Sequence, residues 1–456
     1  MKKNLSQGNK TFCIAPWTHT FISPQSERRL CCASREKSMW TRQYLDLESN
    51  NGENEYNPKT LEEHWNSDYM KDIRKRLMSG EEIEQCQVCN HKLLNVDTYR
   101  DYFNKTLFPH KINEAFEKTS DDGYTEMKPI SFDYRISNLC NFKCRMCGDQ
   151  LSSAWEAEKR KMGEYSQQQE HNRWATELNK TKIKSFQKEV VEEELWSAVR
   201  NQTIEEIYWV GGEPLLWNIH WDVMKHLIES GHSKNVTVRY NTNLSKISHR
   251  GVELKKILPH FKHVQLSASI DGTGEIVEYI RDGIKWDKWL KNFKELLFLN
   301  DLYGKHGITM DLTVTTPGLF SLKDIFDLSL ELNVNTYIKT TFGFDPTTIM
   351  CPHILPRPIL DEILDDVLSY ITPKIEKFPS HSYWKDSLLD IKNKKTFQES
   401  FTNYRTALLE GVRRLNEVDN FRGHNDKLKK ILSQNNKASD WWEDINDEIN
   451  QLDTIL

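Results

Sequence analysis

Nine cysteines lie in the chain, and eight fall in its first third, at positions 13, 31, 32, 86, 89, 140, 144 and 147; Cys351 stands apart. Soft donors clustered in this way point to metal or cluster ligation rather than to a disulfide framework. Cys140, Cys144 and Cys147 sit in SNLCNFKCRMCGDQ, residues 137–150, with no fourth cysteine nearby. Three thiolates suit a four-iron cubane that leaves one iron open, much as catalytic metal sites keep one position for substrate. A zinc ion completed by a remote ligand such as His171 is the alternative.

Upstream, Cys13, Cys86, Cys89 and one of the Cys31-Cys32 pair make four donors, enough for a closed site. Neighbouring residues on a strand face opposite sides, so only one of the pair can point at a shared metal. Cys32 is preferred, with Cys31 as the alternative. Zinc would fit this set as readily as iron. Cys351, beside Pro352, is either a substrate-facing thiol or a buried one.

These donors need elements to position them. Six strand-like runs recur at 130–137, 205–211, 235–241, 263–271, 308–315 and 334–342. Helical patterns separate them at 217–230, near 248–258, at 286–299 and at 320–332. Strand and helix in alternation imply parallel pairing through right-handed crossovers, as an open doubly wound sheet or a barrel. A polar, helix-favouring insertion, 151–203, follows the three cysteines directly. It would project over the carboxyl ends of the strands, where such folds keep their active sites.

Residues 1–108 form the cysteine-bearing segment. In it Leu61, Trp65, Tyr69, Ile73 and Leu77 recur at helical spacing before a stop at Gly80. Polar residues 104–128 read as a connector to the β/α region, 129–345. A C-terminal region, 346–456, opens on a Pro-rich link and continues in helices near 358–372 and 397–417, then a charged tail with Trp441 and Trp442. The insertion and these C-terminal helices are candidate substrate walls.

The chain has 456 residues and a net charge of -5, so no global basic field recruits nucleic acid. No apolar run approaches the ~20 residues of a membrane span, and no apolar stretch follows the N-terminal lysines as a secretory signal requires. A cytoplasmic protein without membrane or nucleic-acid partners is expected.

The C-x3-C-x2-C loop directly after the first strand resembles the radical S-adenosylmethionine (SAM) enzymes. Further motifs follow in that family's order. After the second strand comes Gly211-Gly212-Glu213-Pro214, similar to the family's GGEP turn. The third strand ends in Tyr240-Asn241-Thr242-Asn243-Leu244, similar to a T-N-G element with Leu244 in the glycine's place. The fourth carries SASIDG, with Ser269 and Asp271, and Arg281 follows. Met146 stands where an aromatic residue is common.

The resemblance implies an α/β fold, a partial (β/α)6 TIM-like barrel. It also implies a [4Fe–4S] cluster on Cys140, Cys144 and Cys147. S-adenosylmethionine would then be contacted by Met146, Gly211, Gly212, Glu213, Pro214, Asn243, Ser269, Asp271 and Arg281. The implied chemistry is reductive cleavage of S-adenosylmethionine to a 5′-deoxyadenosyl radical, which takes hydrogen from substrate. No catalytic residue beyond the cluster ligands is implied, because the cofactor carries the hard step.

The N-terminal segment resembles SPASM or twitch auxiliary-cluster modules through Cys13, Pro16, Trp17, Pro24, Cys31, Cys32, Trp65, Asn66, Ser67, Cys86 and Cys89. Ser26 stands where a hairpin glycine is common. This second resemblance implies a second [4Fe–4S] cluster, an oxidative modification of a peptide or small molecule, and an electron donor such as flavodoxin or ferredoxin. The alternative is a non-catalytic, metal-stabilised binding protein with a degenerate barrel.

Overall fold

The computed structural model describes residues 9–35, 58–91, 98–164, 174–341 and 347–455. His171 and Phe342, at the end of the sixth strand run, therefore lie outside the described residues. Two compact units make up the chain. One comprises Met1–Asn141, Asp149–Thr242 and Lys246–Gln265; the other comprises Phe142–Gly148, Asn243–Ser245 and Leu266–Leu456.

The first unit holds β1 (His19–Ile22), β2 (Arg28–Arg29), β3 (Ser131–Tyr134), β4 (Glu206–Trp209), β5 (Thr237–Thr242) and a two-residue hairpin of β6 (Ser248–His249) and β7 (Val252–Glu253). β5 pairs with β4, β4 with β3 and β3 with β1, all in parallel, while β2 closes antiparallel on β1. β8 (His263–Ile270), most of it in the second unit, pairs in parallel with β9 (Ile308–Val314), and β9 with β10 (Thr336–Thr340). Helices Asn218–Glu229, Trp286–Glu295 and Leu322–Glu331 fall between strands. Six β/α strands at the expected places, β3, β4, β5, β8, β9 and β10, give the α/β partial-barrel architecture, with C-terminal helices after it.

The sequence expectation omits β1. Its register, His19 opposite Ser131 through Ile22 opposite Tyr134, adds the N-terminal segment to the sheet as a further parallel strand. HTFI is too short to read as a strand by alternation, since all four residues are buried.

Four more expectations are corrected. The 61–80 helix is two, Leu61–Trp65 and Asp68–Met78. Ser67 caps the second by accepting from the Met70 N–H (3.3 Å), while the Asn66 amide donates to the Thr125 carbonyl (3.1 Å). The 104–128 connector is core: Phe108, Ala115, Phe116 and Met127 pack with Phe12, Trp17, Met70 and Leu77. Near 248–258 the chain first forms the β6–β7 hairpin, because Arg250 and Gly251 both take positive φ (48° and 83°), the requirement of a tight two-residue turn. Helix 286–299 is interrupted after Glu295 and resumes at Phe298.

The insertion 151–203 is likewise divided. Its last helix, Glu192–Arg200, is the crossover that a parallel β3–β4 pair requires. Glu194 on it accepts from both the Arg28 guanidinium (2.6 and 2.7 Å) and the Leu61 N–H (2.6 Å), and Tyr134 donates to it at 2.9 Å. This network ties β2 and the N-terminal helices to β3.

Candidate functional site

In the first unit, the turn after β4 packs against the residues that lead into Cys140. The Glu213 N–H donates to the Leu139 carbonyl at 2.7 Å. A Cβ on Gly212 would lie 2.4 Å from that same oxygen, so only glycine fits. Gly211 has φ 138°, a region L side chains avoid. Pro214 opens a short 3-10 turn. The Glu213 carboxylate is buried; its Oε1 accepts from Thr242 Oγ1 (2.7 Å) and from the Leu215 N–H (3.1 Å). Ser153, at the start of helix Ser153–Lys161, bonds both backbone groups of Cys140 at 3.2 Å.

In the second unit, Cys144 and Cys147 are joined by a tight turn, the Cys147 N–H donating to the Cys144 carbonyl at 2.9 Å; Met146 in that turn is half-buried. Asn243 Oδ1 accepts from the Ser245 N–H at 2.9 Å. Leu244 keeps the left-handed φ (53°) that a glycine would take there, and Asn292 Nδ2 donates to its carbonyl at 2.8 Å. Ser269 lies opposite Asp311 in the β8–β9 register.

Asp271 is fully buried and pairs with Arg281 through Nε (2.5 Å) and Nη2 (3.0 Å). The fork of Arg281 is thus turned onto a carboxylate of the chain itself. Burial opposes the Arg281 charge, but Asp271 and the nearby Cys144 outweigh it and raise its pKa. Burial raises that of Asp271.

The upstream cysteines fall into two groups. Cys13, Cys31, Cys86 and Cys89 line one cavity with Tyr99, Arg100 and Phe103. Burial, then Cys86, raises the Cys13 thiol; burial, then Cys32, Cys86, Cys13 and Cys89, raises Cys31. Cys32 faces elsewhere: after burial, its neighbours are Asp133, Arg135, Tyr99 and Arg239. Cys31, the alternative to the preferred Cys32, is thus the member of the pair that lines the cavity with the other three. The residues lie in a turn beyond β2 rather than on a strand, so strand alternation could not choose between them. Among the described residues no three His, Cys, Asp or Glu side chains converge on the volume of a single ion; the four thiols instead surround a cavity. Cys351 is buried, with His353 Nδ1 3.7 Å from its sulfur.

Sequence reasoning missed a charged array inside the first unit. Asp133 accepts from Arg135 (3.0 and 3.1 Å), Arg239 donates to Glu206 (3.3 Å), and the Arg239 guanidinium lies over the rings of Tyr208 (4.2 Å) and Tyr102 (4.5 Å). Its signal is legible in retrospect: charged residues at alternate positions of otherwise apolar strands, SFDYR and VRYN, face inward as pairs.

Residues 134–319 match the family model of the Radical SAM superfamily. That stretch of the chain is a radical SAM domain and belongs to the superfamily. Solved structures of SuiB from Streptococcus suis, one bound to S-adenosylmethionine and one to precursor peptide SuiA, are each 14% identical over 67% of this chain and 60% of theirs, with TM-scores of 0.34 and 0.35. TYW1 with a lysine-pyruvate adduct bound is 12% identical over 63% of this chain and 88% of that one, with a TM-score of 0.27. The chain thus spans about 60% of the length of the SuiB structures. No curated protein sequence matches it. Among the described residues no helix is long and apolar enough to cross a membrane.

Proposed function

We propose that the chain is a radical SAM enzyme that oxidatively modifies a peptide or small molecule, with a second [4Fe–4S] cluster assisting. The observation that carries this reading is the fit of the Gly211–Pro214 turn to the cysteine loop. The Gly212 backbone lies so close to Leu139, the residue before Cys140, that a Cβ would clash at 2.4 Å.

Cys140, Cys144 and Cys147 would hold the first cluster, and Cys13, Cys31, Cys86 and Cys89 the second. Once bound, the first cluster and S-adenosylmethionine supply reductive cleavage of the cofactor and abstraction of a substrate hydrogen. The protein's own part is to bind, orient and shield. Glu213, its carboxylate fixed by Thr242 and the Leu215 N–H, offers an anionic partner to the cofactor's amino group. Ser269 and the backbone around Asn243 would supply polar contacts, while the buried Asp271 carboxylate is engaged by Arg281. Asp133, Arg135, Tyr208 and Arg239 are held in buried ion pairs and ring contacts whose rigidity suits them to orienting a polar substrate.

A second cluster held by Cys13, Cys31, Cys86 and Cys89 would have no iron left open for substrate, and would supply a site that accepts or relays the electron released when the substrate is oxidised. An external one-electron donor such as flavodoxin or ferredoxin completes the cycle. Cys89→Ala should still form 5′-deoxyadenosine from S-adenosylmethionine but no modified product. Cys147→Ala should form neither. Full product formation by Cys89→Ala would overturn the role of the second cluster.

A further inference from the structure

The C-terminal helices read from sequence as possible substrate walls, yet within the second unit one of them ends on the cysteine loop. Helix Tyr404–Arg422 terminates at Gly423, whose φ of 67° turns the chain back so that the His424 N–H donates to the Asp419 carbonyl at 2.7 Å. That turn places Asp419, Arg422 and His424 against residues 143–145.

Arg145, between Cys144 and Cys147, is enclosed there, with 1% of its side chain exposed and 5% of that of Asp419. Its Nε and Nη2 donate to Asp419 Oδ1 at 3.0 and 2.5 Å, and Nη2 also meets His424 Nδ1 at 2.8 Å. Its Nη1 donates to the Tyr279 carbonyl. The guanidinium lies 3.7 Å from the centre of the Tyr279 ring, and the Tyr279 hydroxyl donates to Asp419 Oδ2 at 2.7 Å. Both oxygens of Asp419 are thereby used.

Backbone bonds complete the fixture. The Lys143 and Arg145 N–H groups donate to the Asp282 and Ile280 carbonyls at 2.8 and 2.9 Å. Arg422 Nη1 donates to the Lys143 carbonyl at 3.0 Å, and its Nε stands 3.4 Å from Asp282. A buried guanidinium with this many fixed partners has one orientation, and Cys144 and Cys147 flank it in sequence.

We infer that Asp419 and Arg422 of the C-terminal helix, acting through Arg145 and the Lys143 carbonyl, are positioning residues for the loop that carries Cys144 and Cys147. The C-terminal region is then a working part of the cofactor site. The inference rests on the proposed function for its link to S-adenosylmethionine, while the clamp itself belongs to the apoprotein. Partners one step removed from metal ligands commonly change metal affinity or activity 10–100-fold when lost.

The test compares the full-length parent with Asp419→Asn and, as a control, Lys430→Ala, which removes only an exposed ion pair to Glu275. In the apoprotein, Asp419→Asn should speed amide hydrogen exchange in peptides covering 142–148 by at least roughly tenfold, leaving those covering 13–33 and 84–91 unchanged. After anaerobic reconstitution, its affinity for S-adenosylmethionine, read from the change in the electron paramagnetic resonance of the reduced cluster, should fall roughly 10–100-fold. Lys430→Ala should match the parent in both. If Asp419→Asn does not fold, Arg422→Gln carries the same expectations at smaller size.

Unchanged exchange and affinity in the folded variant would overturn the inference. So would faster exchange spread evenly over the chain, which marks a general loss of stability. A parent that takes up no cluster would instead overturn the proposed function; the exchange measurement would still decide the clamp.

Discussion

Gly212→Ala tests whether the turn after β4 sets the cysteine loop. The added methyl carbon would sit 2.4 Å from the Leu139 carbonyl oxygen and 2.8 Å from the Leu139 and Asn138 carbonyl carbons. The contacting atoms are backbone, so no side chain can swing away. To reach even the 3.0 Å below which Cβ contacts are essentially never seen, the loop must retreat by about 0.6 Å. That movement stretches the 2.7 Å Glu213–Leu139 hydrogen bond and displaces the residue next to Cys140. Overpacking of this kind costs about 1–3 kcal/mol, and misplacement of reacting groups on the order of 1 Å can cost about 10²-fold in rate.

Urea unfolding of the apoprotein should therefore show Gly212→Ala less stable by about 1–3 kcal/mol. The reconstituted variant should form 5′-deoxyadenosine about 10²-fold more slowly. Gly148→Ala is the matched control. It neighbours Cys147, yet its Cβ would meet nothing within 4 Å, so the apoprotein should keep or slightly gain stability. Parental stability and rate in Gly212→Ala would refute the reasoning.

Ser26 is buried at φ 68° with its hydroxyl unpartnered among the described residues. Ser26→Gly relieves about 1–2 kcal/mol of left-handed strain and an unmet hydroxyl, against roughly 0.4–1 kcal/mol of added unfolded-state entropy; the urea midpoint should rise. Cys31→Ala should lower the iron bound after reconstitution by about four per chain, the content of one cubane. Cys32→Ala should match the parent, and the reverse result would return the ligand to Cys32.

Burial lowers His220 and His64 to about 3 and His19 to about 4. The unfolded chain therefore takes up protons first as pH falls. Stability is complete above the ordinary histidine value of about 6.5 and is lost as pH drops towards 4 and 3, by about 1.4 kcal/mol per pH unit for each such histidine. His220→Gln should be less stable at pH 7, having lost the Tyr240 hydroxyl bonded at 2.9 Å, but should lose less stability than the parent between pH 6.5 and 4.5. An unchanged slope would contradict the assignment.

Much of the fold was legible because the strands carry a strong local signal. TVRYNT and HVQLSASI alternate buried with half-buried positions, and each ends at a turn rich in Gly, Asn or Asp. β1 was not legible: four buried residues have no alternation, and its partner β3 is more than 100 positions away. The 61–80 helix misled because the apolar spacing continues across Asn66-Ser67, and only the capping hydroxyl of Ser67 shows the break.

At the site, the cysteines and glycines could be read from chemistry and order. What could not be read is direction. Which of Cys31 and Cys32 meets Cys13, Cys86 and Cys89 depends on the path of a turn. The partner of Arg281 turned out to be Asp271, ten residues away, and that of Arg145 is Asp419, 274 residues away. The glycine conformation at Leu244 and Ser26 survives without glycine, so the backbone path there is imposed by the surrounding fold rather than by local freedom.

The central claim is that Cys140, Cys144 and Cys147 hold a cluster that cleaves S-adenosylmethionine. Its most direct test is 5′-deoxyadenosine formation by the anaerobically reconstituted, dithionite-reduced protein, with bound metal counted in the same sample. The parent should contain iron and sulfide and release 5′-deoxyadenosine; the triple variant Cys140→Ala, Cys144→Ala, Cys147→Ala should release none. A parent that binds zinc without iron, or that forms no 5′-deoxyadenosine with its iron in place, would contradict the claim.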